Sequence, residues 1–204
     1  MSRETSIRLA PGVMTGAQAQ WLRNSGIGLG GSVLVAICSR VSIPMAFTPV
    51  PLTLQPFAVL LLGLLLSPSL AAGTLLAYLA EGAAGLPVFA PGPASLPGIA
   101  HLFGPTAGYL LAYPLAAFAI SLLWRRAGRN FAAALLAAGA GNLLILLGGA
   151  AWLAGLAHAA FGTLLAQAVV PFLPGDALKV VAAATLACGW QRIRRASSIF
   201  SSND

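Results

Sequence analysis

The sequence predicts an all-α integral membrane protein with six transmembrane helices, both termini in the cytoplasm, and extracytoplasmic loops that cover a ligand pocket. The chain is 58% hydrophobic and 7% charged, whereas soluble domains are roughly a quarter charged, and its mean hydropathy is +0.88. Long apolar runs recur from Ile27 to Trp190. A helix needs about 20 apolar residues to cross a bilayer, so 204 residues have room for about six spans and for little else.

The predicted spans are separated by proline, glycine or charged residues. The first covers residues 27–43 and is ended by Pro44, and the second begins at Gln55, with Pro56 in its first turn, where proline is tolerated. The later spans cover 69–85, a stretch that ends at Trp124, 131–147 and 175–193, and residues 148–174 are expected to hold at most a short helix at the membrane surface. The resulting organisation is a cytoplasmic N-terminal segment at 1–25, a membrane domain at 26–195 and a cytoplasmic tail at 196–204.

The boundary between the second and third spans, at Pro68, decides the topology. Residues 52–79 are also consistent with one kinked helix, which would give five spans. With six spans and a cytoplasmic N-terminus, nine of the 11 basic residues lie on the cytoplasmic side: Arg3, Arg8, Arg23, Arg125, Arg126, Arg129, Arg192, Arg194 and Arg195. Cytoplasmic flanks of membrane helices collect arginine and lysine, so this distribution favours six spans. The net charge of +7 is interpreted as the same topology signal, and no nucleic-acid partner is expected.

Several function classes lack a matching motif. The glycine-rich stretch GIGLGG at residues 26–31 follows no predicted strand, and GxxxxGK[ST] does not occur, so any ATP hydrolysis belongs to a partner. Cys38 and Cys188 have no metal-ligand spacing, and neither a metal nor a cofactor is expected. An enzyme is not expected, although an intramembrane enzyme with Asp176 and Glu81 as acid and base is a rival interpretation. A structural subunit with a vestigial site is another.

The segment PGDALK places Asp176 and Lys179 three residues apart at the outer end of the sixth span. Asp176 alone is consistent with an N-cap. Lys179 is harder to explain structurally, because a cation in the first turn opposes the helix dipole and costs roughly 2.5–3.5 kcal/mol deep in the apolar layer. Residues three apart share a helix face, so the pair indicates either a salt bridge or a pocket for a small polar ligand. Glu81, near the outer end of the third span, is either an interfacial residue or a part of that pocket.

Small residues recur at every fourth position of the first span, at Gly28, Ser32 and Ala36. This spacing lets two helices approach closely in lipid. Alanine and glycine are abundant in this chain, so the pattern is weak by itself. We nevertheless expect this face of the first span to dock a partner subunit.

Four segments cover the chain from the first span to the sixth: IPMAFTPVPLTLQPFAVLLLGLLL, YLAEGAAGLPVF, FGPTAGYL and PFLPGDALK. Taken in this order, they resemble the BioY family, the biotin-specific S components of energy-coupling factor (ECF) transporters. The resemblance implies a high-affinity biotin-binding and uptake subunit, multi-pass in the bacterial inner membrane. It also implies a transmembrane coupling subunit and two ATPase subunits as partners. An S component for another small vitamin, such as riboflavin or thiamin, is the alternative.

The same resemblance implies which residues bind the vitamin. Asp176 is expected to accept the ureido N–H groups of biotin, and Lys179 to donate to the ureido oxygen or to neutralise Asp176. The loop at residues 44–55 is expected to cover the bound ligand. Further candidates for contact with the ligand are Gln55, Tyr109, Glu81, Phe89, Gly92 and Leu52, with Val50 and Leu86 as additional apolar wall.

Overall fold

The computed structural model of the chain describes residues 15–92, 95–157 and 161–200. Arg3 and Arg8 of the predicted N-terminal segment, and residues 201–204 of the predicted tail, lie outside the described residues. Within them, the elements are α1 (Gly16–Arg40), β1 (Ser42–Ile43), β2 (Leu52–Thr53), α2 (Gln55–Leu65), α3 (Pro68–Ala83), α4 (Ala107–Arg126), α5 (Phe131–Ala157), α6 (Phe161–Ala168) and α7 (Leu173–Phe200), with 3-10 turns at Gly98–Phe103 and Val170–Phe172. The fold is therefore mostly helical.

The first helix, α1, begins well before the predicted span at residue 27, because Thr15 and Gln18 form a capping box. The backbone N–H of Gln18 donates to Thr15 Oγ1 at 3.3 Å, and the backbone N–H of Thr15 donates to Gln18 Oε1 at 3.0 Å. These bonds satisfy backbone donors at the N-terminus of the helix. The helix therefore extends the first apolar run backwards into the polar segment that precedes it.

A short antiparallel ribbon interrupts the helices between α1 and α2, which the all-α prediction did not include. Residues 42–43 pair with residues 52–53. The pairing holds together the two ends of the intervening loop at residues 44–51. Thr48 and Val50 of this loop are buried, so the loop lies against the bundle instead of extending away from it.

The helices α2 and α3 are separate and run in opposite directions. The first ends at Leu65 and the second begins at Pro68. Gln55, at the start of α2, donates a hydrogen bond to Tyr78, near the end of α3. A continuous helix would place these two residues about 35 Å apart at ~1.5 Å per residue. The single kinked helix over residues 52–79 is therefore excluded, and the predicted turn at Pro68 is confirmed.

The helix α5 runs past its predicted end at residue 147 because its glycines are packing positions. A Cβ atom on Gly108 of α4 would overlap the backbone carbonyl of Gly148 and the side chain of Trp152, and one on Gly149 would overlap the ring of Tyr109. Glycine at such contacts lets two helix backbones approach closely. The short helix expected in residues 148–174 is present as α6.

The outer surface of the bundle is apolar. Large hydrophobic side chains such as Leu115, Leu136 and Leu178 are exposed along α4, α5 and α7. Three helical stretches of the described chain are long and apolar enough to cross a membrane: Ala107–Arg126, Phe131–Leu156 and Gly162–Arg194. The last of these covers most of α6 and α7. The chain is thus a multi-pass membrane protein, while the count of six spans and the side of each terminus stay predictions.

Candidate functional site

A cavity lies at the end of the bundle where α2, α4 and α7 begin. It encloses about 530 Å³, including solvent at its mouth. Its polar lining consists of Thr53, Gln55, His101, Thr106, Tyr109, Tyr113, Asp176 and Lys179, and its apolar lining of Val50, Pro51, Pro56, Ala90, Leu110, Ile145, Leu146 and Phe172. The structure therefore brings together four of the predicted ligand contacts: Asp176, Lys179, Gln55 and Tyr109.

Asp176 and Lys179 form a buried ion pair on one face of α7. Lys179 Nζ lies 2.9 Å from Asp176 Oδ1, and the two residues are only 8% and 4% exposed. The second carboxylate oxygen, Asp176 Oδ2, accepts a hydrogen bond from Asn142 Nδ2 of α5 at 3.0 Å. Because α7 begins at Leu173, Asp176 lies within its first turn and is not its N-cap. The carboxylate faces the neighbouring helix and the cavity.

Asn142 is a site residue that the sequence reasoning missed. It is 7% exposed, and its Oδ1 is buried without a hydrogen-bond partner among the described residues. A buried acceptor left unsatisfied costs about 1–3 kcal/mol. A signal was available in the sequence, since Asn142 is the one side-chain amide in the apolar run of α5. Polar residues within membrane helices usually face the bundle interior and have functional roles.

Gln55 is held by hydrogen bonds that join three elements around the mouth of the cavity. Its Nε2 donates to the Tyr78 hydroxyl of α3, which in turn donates to the Val88 carbonyl at 2.9 Å. The Thr53 hydroxyl of β2 donates to Gln55 Oε1 at 3.3 Å. These bonds fix the amide plane and connect the ribbon, α2 and α3. A ligand that touches Gln55 therefore meets a side chain that is already oriented.

Tyr109 presents its ring to the cavity while its hydroxyl is used elsewhere. The hydroxyl donates to the Ala168 carbonyl at 2.8 Å, and the ring packs against Phe172 with centroids 6.1 Å apart. Tyr113, one turn further along α4, also lines the cavity and is 2% exposed. The two rings form an aromatic wall opposite the charged pair on α7.

His101 is buried and lines the cavity. Its Nδ1 lies 3.0 Å from the Leu96 carbonyl and its Nε2 lies 3.2 Å from Thr106 Oγ1. Its ring stacks on Phe89 at a centroid distance of 4.7 Å. Burial lowers the pKa of His101 below its ordinary value, and the hydrogen bond to Leu96 opposes this effect only in part. Phe89 thus packs against His101, which lines the cavity, but Phe89 is not itself part of the cavity lining.

Three further predicted ligand contacts lie outside the cavity lining. Glu81 accepts a hydrogen bond from Ser32 of α1 at 2.9 Å, which places it between α1 and α3. Gly92 lines a smaller hollow of about 230 Å³ that shares His101 with the main cavity. Leu52 belongs to β2 and packs against the core. Leu86, expected in the apolar wall, is 54% exposed.

The predicted docking face of α1 is largely occupied within the chain itself. Gly28 and Ser32 are buried, since Gly28 lies against Thr74 of α3 and Ser32 donates to Glu81 of the same helix. Ala36 is partly buried and packs against the core. The small residues do allow a close helix approach, but the helix that approaches is α3.

Among the described residues, no group of three His, Cys, Asp or Glu side chains is arranged to hold a metal ion. The cavity chemistry is instead that of a charged pair, amides and hydroxyls within an apolar shell. Such a cavity suits a compact ligand that has hydrogen-bond donors and an acceptor close together and is apolar elsewhere.

Comparison with known proteins gives one consistent result. The family model described as the BioY family matches residues 14–196. A probable biotin transporter BioY of Pyrococcus horikoshii is 38% identical over 154 residues, which cover 76% of this chain and 87% of that protein. The biotin transporter BioY of Rhodobacter capsulatus is 38% identical over 168 residues, with 76% and 85% covered. The crystal structure of the S-component for biotin from an ECF-type ABC transporter is similar with a TM-score of 0.78 and 25% identity, covering 88% of this chain and 95% of that chain.

Proposed function

This chain belongs to the BioY family, and from that membership we propose that it is the high-affinity biotin-binding and uptake subunit of a vitamin transporter. The observation that carries the proposal is the buried trio of Asp176, Lys179 and Asn142 at the cavity. A membrane helix retains such charges at a cost, and ligand recognition supplies a reason to retain them. The chain is a transporter component and not an enzyme.

The ureido ring of biotin matches the unused hydrogen-bonding capacity of the ion pair. A carboxylate has about four lone-pair sites, and Asp176 uses one for Lys179 and one for Asn142. The remaining two are available to the two ureido N–H groups. The Lys179 ammonium has three N–H donors and uses one on Asp176, so it can also donate to the ureido oxygen.

The remainder of the cavity suits the apolar parts of biotin. Val50, Ile145, Leu146 and Phe172 offer hydrocarbon and aromatic surface to the fused rings and the valerate chain. The loop at residues 44–51 contributes Val50 to this wall, so closure of the loop would cover the bound vitamin. Gln55 and the Tyr109 ring complete the sides of the site.

The partners and the topology follow from the same proposal. The chain has no GxxxxGK[ST] motif, so energy comes from separate subunits, which are a transmembrane coupling subunit and two ATPases. Six spans with both termini in the cytoplasm place the biotin cavity on the outer face of the bacterial inner membrane. The positive-inside rule supports this orientation, because the arginines gather at the opposite end of α4 and α7.

Isothermal titration of the detergent-purified protein with biotin tests the proposal, with riboflavin and thiamin titrated in parallel. We expect tight binding of biotin and no binding of riboflavin or thiamin. Binding of riboflavin or thiamin in place of biotin would retain the S-component architecture and overturn the substrate. Absence of binding by all three ligands to a folded, monodisperse sample would overturn the proposed function.

A further inference from the structure

We propose that the end of the bundle opposite the biotin cavity binds the phosphate headgroup of an anionic phospholipid. A second hollow lies there, between the ends of α2 and α4 and the last turns of α7, and it encloses about 870 Å³ including solvent at its mouth. It lies roughly 27 Å from the biotin cavity, the rise of α7 from Asp176 to Arg194 at ~1.5 Å per residue. The two sites therefore share no side chain.

Three arginines line this hollow from two directions. Arg125 and Arg129 come from the end of α4 and the turn that follows, and Arg194 comes from α7. The acidic side chains of the described chain are Glu81 and Asp176, and both are hydrogen-bonded elsewhere. Within the part of the chain that the structure describes, the three guanidinium groups have no carboxylate to neutralise them, so the hollow attracts an anion.

Neutral groups hold the side chain of Arg125 and the backbone of Arg129, so these contacts do not neutralise either charge. Arg125 donates from Nη2 to the Leu66 carbonyl at 2.9 Å and from Nε to Ser121 Oγ at 3.1 Å. Arg129 has a φ of +53°, a region that residues with long side chains seldom occupy. Its backbone N–H donates to the Trp124 carbonyl at 3.2 Å, which fixes this turn. This bond holds the turn that places Arg129 beside the hollow.

Beside the arginines and Gln191, the lining of the hollow consists of leucine and tryptophan side chains, which favour an amphiphile over a free anion. Leu65 is half-buried and Trp190 is 52% exposed, so these two side chains offer apolar surface at the hollow. Tryptophan is enriched where the apolar layer meets the headgroups. A phospholipid would place its phosphate among the guanidinium groups, and its acyl chains along the apolar wall. Basic pockets between membrane helices bind anionic lipid headgroups in this way.

Native mass spectrometry of the full-length, delipidated protein tests the site. Phosphatidylglycerol, phosphatidylcholine and inorganic phosphate are each added back in detergent. The test protein carries Arg129→Gln and Arg194→Gln. The matched control carries Arg126→Gln and Arg192→Gln, which remove the same charge from exposed side chains outside the hollow.

We expect phosphatidylglycerol to bind the wild type and the control alike, and the test protein about 30-fold more weakly. This change corresponds to about 2 kcal/mol, at about 1 kcal/mol for each cation near an anionic lipid surface. Each single variant, Arg129→Gln or Arg194→Gln, should weaken binding about fivefold. The single variants keep the test decisive if the double variant fails to fold, which is judged from helicity and gel filtration.

Three results would overturn the proposal. Equal losses in the test and control proteins would mean a diffuse attraction to the net positive charge. Equal binding of phosphatidylcholine would mean that the lipid charge is not recognised. Binding of inorganic phosphate that phosphatidylglycerol does not displace would mean a free-anion site instead of a lipid site. None of these results depends on whether the opposite end of the bundle binds biotin.

Discussion

Replacing Asp176 by asparagine should weaken biotin binding by roughly two orders of magnitude while leaving the shape of the cavity almost unchanged. Asparagine has nearly the same volume as aspartate, so the change creates no void. It removes the negative charge and converts one carboxylate oxygen into an N–H donor. The substituted side chain keeps one oxygen to share among Lys179, Asn142 and the ligand, where the carboxylate offered two.

The size of the loss can be worked out from these hydrogen bonds. A hydrogen bond to a charged group contributes about 1.5–3 kcal/mol, and one ureido N–H loses its acceptor altogether. The other ureido N–H keeps an acceptor that is neutral and therefore about half as strong. Together the loss is about 3 kcal/mol, or roughly two orders of magnitude in Kd. Lys179 loses its partner in the free and the bound protein alike, so that cost reduces thermal stability more than it reduces affinity.

Isothermal titration of wild type, Asp176→Asn and Glu81→Gln measures this loss. Glu81→Gln is the matched control, because it removes one carboxylate charge at a position between α1 and α3 and outside the cavity. We expect near-normal affinity in the control. Biotin binding by Asp176→Asn within about threefold of wild type, in a sample with normal helicity, would refute the placement of the ureido ring at Asp176.

Three more predictions follow from other contacts. Asn142→Leu removes one hydrogen bond to the Asp176 carboxylate and should weaken biotin binding by about tenfold, or about 1.4 kcal/mol, in the same titration. Gly108→Ala should destabilise the protein by about 1–3 kcal/mol through overpacking, which is measured as a lower Tm in detergent. The control variant Gly139→Ala should not lower the Tm, because the space around Gly139 is open. The lowered pKa of His101 means that the folded protein binds a proton less readily than the unfolded chain. Stability should thus be full above about pH 6.5 and fall as the pH drops below it, and His101→Asn should flatten this Tm profile.

Each of these predictions has a result that would contradict it. Unchanged affinity in Asn142→Leu would mean that Lys179 alone orients the carboxylate. Equal Tm values for the two glycine variants would mean that α4 and α5 are not in close contact at Gly108. An identical pH profile for wild type and His101→Asn would assign the acid sensitivity to other groups.

The sequence was informative wherever a residue conflicted with its surroundings. Asp176 and Lys179 are charges at the edge of an apolar run, and that conflict by itself indicated a buried pair or a pocket. Pro68 indicated the reversal between α2 and α3, because proline suits the first turn of a helix. Gln55 and Tyr109 were inferred from the resemblance to the BioY family, and both line the cavity.

The features that were missed depend on which elements become neighbours in space. In the sequence, Gly148 and Gly149 indicated the end of a helix. In the structure they lie inside α5, where they contact Gly108 and Tyr109 of α4. The spacing of Gly28 and Ser32 predicts a close contact with another helix, but it does not identify that helix as α3. The depth at which His101 is buried depends on Phe89, which is distant in sequence and stacks on its ring.

The ribbon between α1 and α2 has a consequence for the kinetics of ligand capture. Because residues 42–43 and 52–53 are already paired, the ends of the loop that we propose as the cover of the ligand are joined before any ligand arrives. The entropic cost of joining the ends of the loop is then met in the free protein, and the burial of Thr48 and Val50 means that the segment between the two strands is also packed before binding. Pre-ordering of this kind strengthens affinity without adding any contact to the ligand. It also confines the opening motion to the tip, so the vitamin would enter and leave by displacement of a tethered flap whose fixed base keeps Val50 close to the site.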